Sequence, residues 1–178
     1  MNSSTGKRIM VITGGVREGK STYAGTLVSR LREEGRDPGG FLSLSSGDNK
    51  GTHGYFIQDI ISGETMELTG PGPGEDFISV GKFRLRSKAF EFGQGLIAQS
   101  LLKGRDPVFI DEVGILETRM KGWYESMQKL GNEESCIKIW VVRLSVLGWI
   151  LKHWGISADR VFEVNTPIEQ VLYKLKRL

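Results

Sequence analysis

The octapeptide Gly14-Gly15-Val16-Arg17-Glu18-Gly19-Lys20-Ser21 has the spacing G-x-x-x-x-G-K-[ST], that of a Walker A phosphate-binding loop. Gly14 and Gly19 open backbone angles closed to other residues, so successive N–H groups can turn toward one anion. A helix starting near Lys20 would aim its positive end at the same point. Lys20 adds a full charge for β- and γ-phosphates, the Ser21 hydroxyl is a magnesium ligand, and Thr22 closes the nucleotide-binding run. Gly15, Val16, Arg17 and Glu18 contribute backbone N–H groups, and the side chains of Arg17 and Glu18 are assigned no chemistry.

A second string, Val108-Phe109-Ile110-Asp111-Glu112, is an apolar run ending in two acids. It puts Asp111 at the C-terminal edge of a parallel strand, where such sheets bind ligands. There Asp111 can hold magnesium beside Ser21, and Glu112 can orient or deprotonate an attacking water. Lys20, Ser21, Asp111 and Glu112 make the set that hydrolysis of a triphosphate requires. A kinase of a small metabolite would need a second pocket that keeps water from the γ-phosphate, often under an arginine-rich lid. No such lid is visible in the sequence. That kinase, and a nucleotide-binding switch or assembly module with little turnover, stand as alternatives. Among the scattered arginines, Arg143 follows a strand, where a γ-phosphate sensor could lie.

These residues need elements to position them. Residues 8–13 are an apolar strand and 21–31 carry apolar residues at helical spacing, so the loop has the strand–loop–helix context that the motif demands. Residues 41–44 read as a short strand, and 54–61, the turn Ser62-Gly63-Glu64 and 65–68 as an antiparallel hairpin at one sheet edge. Residues 70–76 are a glycine- and proline-rich loop. Further helices are expected at 87–103, 117–130 and 144–154, and further strands at 108–110, 137–142 and 160–164. Thr166-Pro167-Ile168-Glu169 reads as a capping box opening a last helix. Strands alternating with helices predict a mostly parallel sheet covered by helices.

Composition limits the remaining classes. A chain of 178 residues, 39% apolar and 25% charged, suits one domain spanning 1–178. The net charge of +3 permits an anionic ligand without indicating nucleic acid, and nothing names a protein partner. A lone Cys136 excludes an internal disulfide and a cysteine-rich zinc site and fits a reducing cytoplasm. His53 and His153 are too far apart in sequence to suggest a metal pair. No secretory leader is evident, and the most apolar stretch, 137–154, is broken by Lys138, Arg143 and Lys152, which argues against a membrane span.

In order and spacing, these motifs resemble the small nucleoside-triphosphatase family over roughly residues 8–130, and more loosely to the C-terminus. The resemblance rests on Gly14 to Ser21, Gly40-Phe41, Gly54-Tyr55, Ser62-Gly63-Glu64, Val80-Gly81-Lys82-Phe83, Phe90-Glu91 and Ile110-Asp111-Glu112-Val113-Gly114 with Glu117. It implies a three-layer, RecA-like P-loop NTPase fold with a mostly parallel sheet and an antiparallel hairpin extension. It also implies magnesium-dependent hydrolysis of nucleoside triphosphates to diphosphates with broad base tolerance. The chain departs from the family pattern at Ile115 and Leu116, where lysine and methionine are usual. It departs again at residues 45–51, which replace a charged Glu-x-Arg stretch.

Overall fold

A computed structural model of the protein describes residues 7–47, 53–70, 76–80 and 83–178. A seven-stranded sheet forms its centre, in the order β4-β3-β2-β7-β8-β1-β9. The strands are β1 (Ile9–Gly14), β2 (Gly39–Gly47), β3 (His53–Asp59), β4 (Thr65–Glu67), β7 (Val108–Val113), β8 (Lys138–Arg143) and β9 (Val161–Glu163). Strands β2, β7, β8, β1 and β9 pair in parallel, whereas β3 and β4 add antiparallel at one edge. The sheet is therefore mostly parallel with a hairpin extension, as the sequence predicts.

Helices α1 (Lys20–Glu33), α2 (Ser87–Leu102), α4 (Tyr124–Gly131), α5 (Leu147–Trp154) and α6 (Ile168–Leu175) cover its two faces. Ile9 and Val11 of β1 enter one apolar core with residues of α2, α4 and α5. Met10 and Ile12 enter the other with Ala24, Leu27, Val28 and Leu31 of α1 and Val171, Leu172 and Leu175 of α6. Two covered faces explain why β1 is buried at every position, rather than alternating apolar with polar.

Three expectations need correction, and one element was unforeseen. The helix predicted over 117–130 is two pieces, α3 (Ile115–Thr118) and α4, because Met120 (φ 57°) and Gly122 (φ 63°) turn left-handed between them. That turn delivers Trp123 into the core, with its ring centroid 4.6 Å from those of both Phe41 and Phe90. The capping box at 166–169 does not form. Thr166 N–H donates to the Glu163 carbonyl, and α6 starts after Pro167 with no side-chain cap. The strand expected at 41–44 runs from Gly39 to Gly47. A two-stranded ribbon, β5 (Phe77–Val80) with β6 (Phe83–Arg86), was not anticipated. Residues 71–75 of the predicted loop and Gly81-Lys82 of the resemblance lie outside the described residues.

Gly93 and Gly95 both weaken the helix prediction for α2, yet the fold treats them differently. A Cβ at Gly93 would meet the Trp123 ring at 2.7 Å, whereas one at Gly95 would meet nothing within 4 Å. Gly93→Ala should therefore destabilise the protein by about 1–3 kcal/mol through overpacking. Gly95→Ala should stabilise it by about 0.5–1 kcal/mol through helix propensity. Thermal denaturation of the two variants should give shifts of opposite sign.

Candidate active site

The glycine loop joins β1 to α1, and β8 lies between β1 and the acidic strand β7. Two strand spacings, about 10 Å, thus separate the loop strand from Asp111 and Glu112. Lys20 spans that gap. Its side chain is 6% exposed, and its Nζ donates to the Gly15 carbonyl at 2.7 Å and lies 3.9 Å from Glu112 Oε1. Gly19, at φ 81°, takes the left-handed turn that starts α1.

Two loop residues behave in ways the motif does not disclose. Arg17 is left-handed at φ 62°, a conformation that costs a residue bearing a Cβ about 1 kcal/mol. The Glu18 carboxylate folds back to accept the Gly15 N–H at 2.5 Å. It packs against Gly15 so closely that a Cβ there would meet it at 2.8 Å. Glu18 is thus a strut within the loop, contrary to the expectation that its side chain has no task.

In front of the loop lies a cleft of about 740 Å³. Val16, Arg17, Gly19, Lys20, Ser21 and Thr22 line one side, and Ser43, Tyr55, Gln58, Glu112 and Arg143 line the other. Gly14, Gly15 and Glu18 are not among the lining residues. Six of the eight consecutive positions from Gly15 to Thr22 therefore face the cleft, and Asp111 lies buried below it at 0% exposure.

The strand end aims the two acids differently. Register between β7 and β8 shifts between Asp111, opposite Val141, and Val113, opposite Val142. Glu112 is the extra residue of that bulge, a device that re-aims a side chain. It turns into the cleft, where Arg143 Nε donates to Oε1 and the carboxylate stays 19% exposed. Arg143 ends β8 directly opposite Gly14, which brings the arginine noted after that strand to the loop itself.

Burial dominates the electrostatics. Desolvation pushes the Asp111 carboxyl up to about 7, against the Ser21 hydroxyl and the Ser43 N–H, which favour the charged form. The Ser43 N–H donates to Oδ2 at 3.0 Å, while the buried Oδ1 has no hydrogen-bond partner among the described residues. An orphaned buried carboxylate oxygen beside a serine hydroxyl is what a hard, oxygen-seeking cation would complete. Among the described residues no cluster of three or more His, Cys, Asp or Glu could hold a metal by itself. A cation here would draw its other ligands from water and phosphate, the habit of Mg²⁺. Glu117 is likewise pushed up to about 7 by burial. Its carboxylate accepts the Gly114 N–H at 2.7 Å and the Trp123 N–H at 2.8 Å, pinning the turn behind Glu112.

Sequence reasoning missed Ser43 and Gln58, and it offered Tyr55 only as one of two aromatics on which a base could stack. Ser43 acts through its backbone N–H, which side-chain identity does not reveal. Tyr55 and Gln58 sit on the hairpin, whose position over the cleft depends on strand order.

A mostly parallel sheet with helices on both faces and a glycine loop between β1 and α1 defines a P-loop NTPase fold. The profile of the family described as NTPase matches residues 9–166, and the chain belongs to that family. It is similar to the crystal structure of THEP1 from the hyperthermophile Aquifex aeolicus, with a TM-score of 0.72 and 18% identity over 95% of this chain and 99% of that one. It is also similar to the solution structure of a human cancer-related nucleoside triphosphatase, with a TM-score of 0.64 and 19% identity over 96% of this chain and 94% of that one. No curated protein sequence matches it significantly. No helix among the described residues is long and apolar enough to cross a membrane.

The raised carboxyls make stability depend on pH. Asp111 and Glu117 have folded values near 7, above the ordinary 3.8 and 4.5, so over that interval the folded state binds more protons than the unfolded. Their contribution is fully present below about pH 4 and is lost as pH rises through 7, by at most about 1.4 kcal/mol per pH unit for each group. Denaturant titrations from pH 4 to 7.5 without divalent cations should show that decline, and Glu117→Gln should remove its own share.

Proposed function

We propose that the chain hydrolyses nucleoside triphosphates, ATP and GTP among them, to the diphosphate and inorganic phosphate, and that it requires magnesium. The observation that carries this reading is the meeting of Lys20 Nζ, the Glu112 carboxylate and the buried, half-satisfied Asp111 at one mouth of the glycine loop. Backbone N–H groups of the loop residues that line the cleft and the Lys20 ammonium bind the β- and γ-phosphates. Ser21 and Asp111 hold Mg²⁺. That ion supplies positive charge against the charge that develops on the phosphate oxygens.

Glu112 positions a water and takes its proton as the water oxygen bonds to the γ-phosphorus and the β,γ-bridging P–O bond breaks. The Arg143 guanidinium, hydrogen-bonded to Glu112, holds that carboxylate in place and adds charge near the γ-phosphate. We read the whole chain as one such domain acting in the cytoplasm, where the single buried Cys136 stays reduced.

Phosphate release measured with ATP, GTP, CTP and UTP, with and without Mg²⁺, tests the reading. Release is expected from several of the four and only with the cation, and its absence in every case would overturn the proposal. Glu112→Gln should lower kcat by about 10²–10⁴-fold with nucleotide affinity intact. A switch or assembly module would instead keep its slow rate in that variant. Lys20→Ala should lose nucleotide affinity itself.

A further inference from the structure

Behind Glu112, on the side away from the glycine loop, a second cavity of about 100 Å³ opens. It shares Ser43, Tyr55, Glu112 and Arg143 with the phosphate cleft, so the two spaces meet at the Glu112 carboxylate. The rest of its wall is mainly apolar, drawn from Leu68, Val80, Leu85, Phe90, Leu116 and Trp123. Ile115 stands at the wall with 43% of its surface exposed, a large aliphatic group that no neighbour covers fully. Attack by water needs no apolar chamber on the far side of the acid that positions it. A wall of this kind, with Thr69 and the buried Glu117 as its other polar members, suits a carbon skeleton with one polar end at Glu112.

We propose that this cavity receives a small neutral alcohol with an apolar body about the size of one ring, and that the alcohol accepts the γ-phosphoryl group. The proposal rests on the reading of Glu112 given above. The alcohol oxygen, in the position otherwise held by water, bonds to the γ-phosphorus. The β,γ-bridging P–O bond breaks, the hydroxyl proton passes to Glu112, and the products are a phosphate monoester and the nucleoside diphosphate. Burying a ring against Phe90 and Trp123 favours the alcohol over water. The narrow volume excludes anything as large as a second nucleotide.

Benzyl alcohol is a suitable probe for the full chain with ATP and Mg²⁺. Methyl resonances of Leu68, Leu85 and Ile115 should shift on its addition. Phosphorus NMR should then detect benzyl phosphate forming in step with ADP, while free phosphate release falls at least twofold. Ile115→Trp and Leu85→Trp fill the cavity from two walls. Each should lower benzyl phosphate formation at least tenfold and leave phosphate release without alcohol within about twofold. Absence of methyl shifts at saturating alcohol overturns the proposal, as do shifts with slower phosphate release and no benzyl phosphate, which would describe an inhibitory pocket. Phosphate release without alcohol reports separately on hydrolysis, so the two readings fail independently.

Discussion

Asp111 is a carboxylate with no exposed surface and one oxygen without a partner among the described residues. Burying such a group costs several kcal/mol unless it is neutralised or paired. The surrounding fold supplies only part of that compensation, through the Ser43 N–H and the Ser21 hydroxyl. Both partners reach Asp111 because of strand order. Residue 43 is on β2, which pairs directly with β7, and residue 21 opens the helix that follows β1, two strands away on the other side. An exposed aspartate at the same strand end would have its needs met by solvent. This one can be relieved only by a proton or by something that enters the cleft, which ties the stability of the empty site to its occupancy.

Glu112, one residue later, shows how the same strand makes two different acids. An unbroken strand would point Asp111 and Glu112 to opposite faces of the sheet. The bulge between Asp111 and Val113 turns Glu112 into the cleft, where Lys20 and Arg143 converge on a single oxygen. The Glu117 carboxylate holds the chain just beyond by accepting the Gly114 and Trp123 N–H groups. Trp123 is itself wedged between Phe41 and Phe90. Packing in one core thus fixes the backbone that aims Glu112.

The glycine loop, its flanking strand and helix, the edge hairpin and the acidic strand were legible because each carries a local signal: glycine spacing, apolar runs or helical periodicity. Elements set by tertiary demands were not. The break between α3 and α4 is invisible in a pattern of apolar residues that suits one helix, because it comes from Met120 adopting a left-handed turn that its side chain disfavours. The ribbon of β5 and β6 is too short for periodicity to declare. Glu18 was read by its position in a motif, and only the fold of the loop reveals that its carboxylate is within reach of the Gly15 N–H. For the cleft, side-chain chemistry could be read along the chain, whereas backbone donors such as Ser43 N–H and neighbours brought in by strand order could not.

Charge around the cleft follows from the same strand order. Ile115 and Leu116 stand where the resembled family usually has lysine and methionine, so the residues after the acidic pair bring no cation. The next strand supplies one instead. Arg143 ends β8 opposite Gly14 and donates to Glu112. Lys20, Arg17 and Arg143 then line the cleft with Glu112 as the one carboxylate among its lining residues, an excess of positive charge suited to a polyanion. An arginine on a strand is also a different device from a lysine on a short helix. Its Nε is committed to Glu112 in a fixed plane, so charge and carboxylate are oriented together. Ile115 itself is part of an apolar wall. The far side of Glu112 is thus walled mainly by apolar side chains, while Lys20 and Arg17 line only the loop side.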